Sequence, residues 1–295
     1  MTAMKTAIFA RRINSSLIET LHQVLGALQK NNHTVCLYRP LQKIVQTENP
    51  VPSIIEEFFD SPDEINNRIA YFISIGGDGT FLQSIPFVAG KNIPIVGINN
   101  GRLGFLANIQ KEEIDASITA ITGKEYSLEN RSLIQLLSPP DVFPYPYALN
   151  DLTIQKKGSS LITIHAYING EYLNSYWTDG LIIATPTGST AYAMSVGGPI
   201  VCPECSTFII APIASHNFAV RPLVVNADSH IKLTVESRNN EFLLTLDSYT
   251  IELPAPGTEI ILTKAGFSIQ TIKLKNHSFY TTIRNKLMWG ADPRN

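Results

Sequence analysis

The sequence predicts an α/β plus all-β protein: an N-terminal doubly wound parallel α/β domain and a C-terminal β-rich, β-sandwich-like domain. Three observations predict it. Before about residue 125, short β-branched runs alternate with stretches of helical period. After that point apolar strand-like runs follow one another with only turn residues between most of them. Third, residues 71–80 read "YFISIGGDGT", an apolar run that stops in glycines, as a strand of an open α/β sheet does where it passes into the next helix.

In order, "TAIFA" (6–10) is a strand, 17–29 a helix, and "HTVCLY" (33–38) a strand. Residues 41–68 carry prolines and acids without a period and read as a loop. "YFISI" (71–75) is a strand, Thr80 opens a helix, "IPIVGI" (93–98) is a strand and 111–121 a helix. Strand, helix, strand in repetition implies a parallel sheet, so residues 1–125 form the first domain. From 126 to 270, "LTIQ", "SLITIHAYI", "GLIIAT", "STFIIAP", "HIKLTV", "FLLTL" and "EIILTK" build the β-rich domain, interrupted by one short helix near 189–195. The remaining residues, 271–295, hold a helix near 280–288 and are expected to return to the first domain.

Composition narrows the function. A 295-residue chain with 44% hydrophobic and 16% charged residues suits a globular protein with two cores. A net charge of −2 gives no electrostatic reason for nucleic acid or a membrane surface as partner. With no signal-peptide pattern and three cysteines, the expected location is cytoplasmic. Cys202 and Cys205 have C-x-x-C spacing, but no second Cys/His pair accompanies them, and they read as small loop residues.

At the end of "YFISI", Gly76 and Gly77 let the backbone turn and approach a ligand, and the free N–H groups at the helix start favour an anion such as phosphate. Asp78 is itself negative there, so it either holds a cation, takes a proton from a hydroxyl, or caps the helix. Both the P-loop and the G-x-G-x-x-G fingerprint are missing. In "NNGRLGFLA" (99–107), Phe105 is either a wall for a flat ring or core packing. Asn150 and Asp151 offer an amide and a carboxylate suited to ribose hydroxyls or an amino group, or else form an Asx turn. In "TPTGSTAYAMS" (185–195), Pro186 and Gly188 make a turn and Ser189 or Thr190 caps a helix, with small residues open to a nucleotide. Asp179 precedes a hydrophobic strand, where a buried acid needs a partner.

"GGDGT" after a strand resembles the phosphate-handling motif of NAD kinases, diacylglycerol and sphingosine kinases and, in a near form, phosphofructokinases. "NNGRLGFLA", "ND" at 150–151, "TDGLIIATPTGSTAYAMSVGGPIV" (178–201) and "APIASHNFAVRPLVV" (211–225) narrow the resemblance to the NAD kinase family. It runs from about residue 73 to 225. The resemblance implies transfer of the γ-phosphoryl group of ATP to the 2'-hydroxyl of the adenosine ribose of NAD, with Mg2+ or another divalent metal, in a homotetramer or dimer. It also implies that Asp78 and Gly79 sit at the phosphorylation point, and that Asn150, Asp179, Thr190, Ala191, Tyr192 and Ser195 contact NAD. Phe105 and Asp151 join that NAD-binding set. His216 is left outside the catalytic set.

The chain departs from the family at Trp177 and Thr178, which precede Asp179 where members often carry a basic or small residue, and at Asp247, which is followed by serine instead of glycine. Asp247 is therefore only an auxiliary for the metal or the ribose, and Arg102 and Arg131 are auxiliary cations or plain surface residues. No lysine or arginine lies within "GGDGT". A lipid kinase and a non-catalytic dinucleotide sensor are the alternative readings; the donor, ATP or polyphosphate, and the acceptance of NADH stay open.

Overall fold

A computed structural model describes residues 4–46, 52–275 and 277–290. They fall into two compact units, one drawn from Met1–Asn130 and Ile269–Asn295, the other from Arg131–Ser268.

The first unit is a parallel sheet covered by helices. Strand Lys5–Ala10 lies between Thr34–Tyr38 and Ile69–Ile75; Ile69–Ile75 pairs in turn with Ile95–Ile98. The latter also takes Ala107–Ile109 and, at Thr271, the end of the long strand Glu259–Leu274. These strands are buried along nearly their whole length, so they read as continuous apolar runs instead of alternating ones. Helix Ser15–Lys30 buries Leu17, Leu21, Val24, Leu25 and Leu28, one stripe at helical spacing, and Asn14 caps it by accepting the Leu17 N–H at 2.8 Å. Helix Asp78–Val88 begins three residues after strand Ile69–Ile75 ends, with Phe81, Ile85 and Val88 buried.

The stretch read as a loop over 41–68 is more ordered than that, apart from 47–51, which lie outside the described residues. Gln42–Gln46 is helical, and Ile55–Phe59 is a strand parallel to Thr34–Tyr38. Glu56 and Glu57 interrupt the apolar pattern and hide the strand, yet both pair with Lys5, at 3.1 and 2.7 Å. Charged side chains on an edge strand also discourage pairing with another chain.

The second unit is antiparallel. One sheet runs in the order Leu223–Asn226, Thr207–Ile213, Gly180–Ala184, Asp151–Lys156, Glu241–Leu246, Tyr249–Pro254. Strands Glu171–Thr178, Ile162–Ile168, Ile231–Ser237 and the start of Glu259–Leu274 form a second layer. Leu152, Ile154, Leu181, Ile183, Phe208 and Leu244 from the first sheet meet Ile162, Ile164, Leu233 and Ile260 from the second in one core. Period two then sends Ile182 and Ala184 to the opposite face, where they pack with Ala193, Ile209 and Ala211. Strand Gly180–Ala184 is thus buried on both faces, and the "TPTGSTAYAMS" segment that follows it covers the outer one.

Candidate active site

Asp78 organises the candidate residues of the first unit. As the first residue of helix Asp78–Val88 it turns its carboxylate onto the loop after strand Ile95–Ile98: Oδ1 accepts the Leu106 and Ala107 N–H groups and Oδ2 that of Phe105, all at 2.9 Å. "GGDGT" and "NNGRLGF" are therefore joined by one side chain. Gly104 makes room for it, because a Cβ there would overlap Asp78 Oδ1 and lie 2.8 Å from its Cγ. Gly79 is exposed beside Asp78, and Arg102 is exposed on the loop.

Sequence reasoning missed Lys286. It comes from helix Phe279–Leu287, which Ser278 caps by accepting the Thr281 N–H at 3.1 Å. Its Nζ lies 3.4 Å from Asp78 Oδ2 and 4.4 Å from the centre of the half-buried Phe105 ring. A single lysine in a polar helix 208 residues away carries no local signal.

The second unit builds a parallel device from another aspartate. Asp247, in left-handed backbone conformation with φ 48°, accepts the N–H groups of Leu149, Asn150 and Asp151 at 2.8, 2.9 and 3.1 Å. Both of its oxygens are engaged, so it acts on Asn150 and Asp151 by placing them. The turn of "TPTGST" closes over the same residues. The Asn150 carbonyl accepts the Thr185 N–H at 2.8 Å, Thr185 Oγ1 donates to the Leu149 carbonyl at 2.5 Å, and Gly188 sits where a Cβ would overlap the Asn150 carbonyl oxygen.

A 3-10 turn, Gly188–Thr190, and the short helix Tyr192–Ser195 carry the rest. Ser189 Oγ accepts the Val201 N–H at 3.0 Å and donates back to its carbonyl, which pins the segment. Thr190 Oγ1 donates to the Thr187 carbonyl, the Gln155 amide donates to Tyr192 Oη at 3.1 Å, and Ser195 is exposed. Ala191 is half-buried between turn and helix. Arg131 Nη1 reaches Thr187 Oγ1 at 3.4 Å. Asp179 finds its partner in Lys156, whose Nζ is 2.6 Å from Oδ1. Exposed Trp177 lies against His216, with ring centres 5.8 Å apart. Asn150, Asp151, Thr190, Ala191, Tyr192 and Asp247 thus gather around two loops of one unit, while Asp78, Gly79, Phe105 and Arg102 gather in the other.

Burial pushes the Asp151 carboxyl up to about 6, against one hydrogen bond from Thr153. It pushes Asp247 up to about 7, against its three N–H donors and with Asp151 adding repulsion. Folded, both carboxyls hold protons that the unfolded chain releases near about pH 4. The stability they add is complete below that pH and is lost as the pH rises to about 7. The Tm of the wild type relative to Asp151→Asn is therefore expected to decline between pH 5 and pH 8. A relative Tm that climbs over that range would show that the Thr153 hydrogen bond outweighs burial.

Two family models match the chain: the ATP-NAD kinase N-terminal domain over residues 6–126 and the ATP-NAD kinase C-terminal domain over residues 149–274. An NAD kinase of Cytophaga hutchinsonii is 41% identical over 292 residues, 98% of this chain and 99% of that one. One of Bacteroides fragilis is 42% identical over 293 residues, covering 99% of this chain and all of the relative. Among solved structures, yeast NADH kinase complexed with NADH superposes with a TM-score of 0.85 at 23% identity, covering 98% of this chain and 89% of that one. An Archaeoglobus fulgidus NAD kinase in complex with ATP gives 0.74 at 24% identity, covering 97% and 99%.

Proposed function

The chain belongs to the NAD kinase family, and from that premise we propose that it transfers the γ-phosphoryl group of ATP to the 2'-hydroxyl of the adenosine ribose of NAD, giving NADP. The 2'-oxygen forms a bond to the γ-phosphorus, the bond from that phosphorus to the β,γ-bridging oxygen breaks, and its electron pair leaves with ADP. The hydroxyl proton needs an acceptor, since a ribose hydroxyl is a poor nucleophile at neutral pH.

One observation carries this reading at the level of residues: Asp78 is a carboxylate at the start of a helix, at the carboxyl end of a parallel strand, where anionic ligands of open α/β sheets bind. We assign it the role of base, with Gly79 beside it, and Phe105 as a wall for a planar ring. Asn150, Asp151, Asp179, Thr190, Ala191, Tyr192 and Ser195 are the proposed NAD contacts. Asp247 is the residue that places Asn150 and Asp151. Arg131 meets the turn at Thr187, whereas nothing among the described residues gives Arg102 a role.

Among the described residues no group of three His, Cys, Asp or Glu side chains is placed to hold a metal ion, and three N–H donors already point at Asp78. A dedicated protein cage for Mg2+ does not fit these residues, and the divalent ion is proposed to arrive on the donor's phosphates, where it neutralises charge. No helix among the described residues is long and apolar enough to cross a membrane. A cytoplasmic homo-oligomer, dimer or tetramer, is the proposed state, supported by Trp177 and Phe218, exposed at 58% and 93%; light scattering of the purified chain reads its mass.

The test is formation of NADP from NAD and of NADPH from NADH, with ATP and polyphosphate as donors. Rapid NADP formation from NAD, ATP and Mg2+ is the expected result. NAD binding without NADP from any donor would leave a dinucleotide sensor in its place.

A further inference from the structure

We propose that Lys286 is the cation that meets the transferring phosphoryl group, and that it does so by leaving Asp78. The inference rests on the kinase reading above and adds to it a residue and a movement.

The accounting of lone pairs at Asp78 leads to it. A carboxylate offers about four acceptor positions. Oδ1 has both of its own taken by the Leu106 and Ala107 N–H groups; Oδ2 has one taken by the Phe105 N–H and the other faced by Lys286 at 3.4 Å. As the structure stands, the position on Asp78 open to a substrate proton is the one the ammonium faces. A base at this carboxylate therefore requires that Lys286 withdraw.

The lysine is built to do so. At 3.4 Å its contact with Oδ2 is long for a charge-assisted hydrogen bond, and no other oxygen among the described residues accepts from its remaining donors. The ring of Phe105 holds the ammonium by its face, an attraction without direction that tolerates sliding. Both partners of the ion pair are about 30% exposed, so solvent and ligand reach them. The "GGDGT" turn contributes no cation of its own. A triphosphate arriving there brings charge that exceeds that of one carboxylate and offers the ammonium shorter bonds. Moving from Oδ2 to a phosphoryl oxygen, Lys286 stabilises charge on the donor and frees Oδ2 for the hydroxyl proton in one step. The same movement ties readiness of the base to presence of the donor, which disfavours proton abstraction from NAD alone.

Lys286→Met and Lys286→Arg in the full chain test this. With Lys286→Met, kcat for NADP formation is expected to fall by on the order of 10²-fold, the typical cost of removing one donor to developing charge. Inorganic tripolyphosphate, titrated calorimetrically, is expected to bind about 10-fold more weakly. The KM for NAD and the Tm should stay within about 2-fold and a few degrees of wild type. Lys286→Arg is expected to recover at least about a tenth of the lost rate, since arginine keeps the charge on a different head. A Lys286→Met enzyme with kcat within about 3-fold of wild type overturns the proposal. So does a joint loss of NAD affinity, rate and Tm that arginine does not rescue, because that pattern belongs to a clasp holding the helix. If the wild type forms no NADP the kinase reading fails by itself, while the tripolyphosphate titration of wild type against Lys286→Met still decides whether this lysine binds phosphate.

Discussion

Asp78→Asn is expected to lower kcat by on the order of 10²-fold or more and, in the same protein, to lower the Tm by on the order of 5 °C. The rate effect follows from losing the proposed base. The stability effect follows from geometry: the two oxygens accept three N–H groups from Phe105, Leu106 and Ala107, and asparagine replaces one oxygen with a donor. Whichever way the amide turns, an NH2 group faces at least one backbone N–H. Loss of charge-assisted hydrogen bonds, discounted for the partial exposure of the side chain, costs about 2 kcal/mol. A residue that merely capped the helix would behave differently, since asparagine caps nearly as well as aspartate. Steady-state kinetics and thermal melts on one preparation separate the two. Near-wild-type turnover in a folded Asp78→Asn enzyme would remove Asp78 from the chemistry, and an unchanged Tm would remove it from the loop.

Gly188→Ala is expected to cost about 3 kcal/mol of stability and to raise the KM for NAD by on the order of 10-fold. The added Cβ would overlap the Asn150 carbonyl oxygen and come within 2.6 Å of its carbonyl carbon and 2.9 Å of its Cα. All three are backbone atoms, held from the other side by the Asp247 carboxylate and by the bond between strands Asp151–Lys156 and Gly180–Ala184, so they cannot yield cheaply. Denaturant melts give the first quantity and NADP kinetics the second. A folded Gly188→Ala protein with wild-type KM and stability would show that the turn and Asn150 are not mechanically coupled.

The order of strands and helices was legible because burial leaves its period in the sequence. "TAIFA", "YFISI" and "IPIVGI" are almost wholly apolar since helices cover both faces, and Leu17, Leu21, Val24 and Leu28 keep helical spacing. Strand Ile55–Phe59 was not legible, because Glu56 and Glu57 look like loop residues until Lys5 is seen beside them. At the site, "GGDGT" and "TPTGST" announced themselves by glycine and small residues, but not what their glycines clear. Gly188 does lie in a turn, but its φ is ordinary, and what demands glycine there is the Asn150 carbonyl packed against it. The acceptor roles of Asp78 and Asp247 were hidden for a plain reason: their donors lie 27 to 29 and 96 to 98 residues away, and a contact across that separation leaves no local pattern. Lys286 is the extreme case.

The first unit is assembled from two pieces of chain, with residues 131–268 between them. During synthesis, then, the sheet and helices up to residue 130 emerge well before Thr271, which pairs with Ile95, and before the helix that carries Lys286. At about 5–20 residues per second the intervening stretch takes on the order of ten seconds to be made. For that interval Asp78 and the Phe105–Ala107 loop it binds are both present in the chain, but the lysine that faces the carboxylate does not yet exist. A nascent chain carries the carboxylate before its counter-charge, and the first unit becomes complete only with helix Phe279–Leu287.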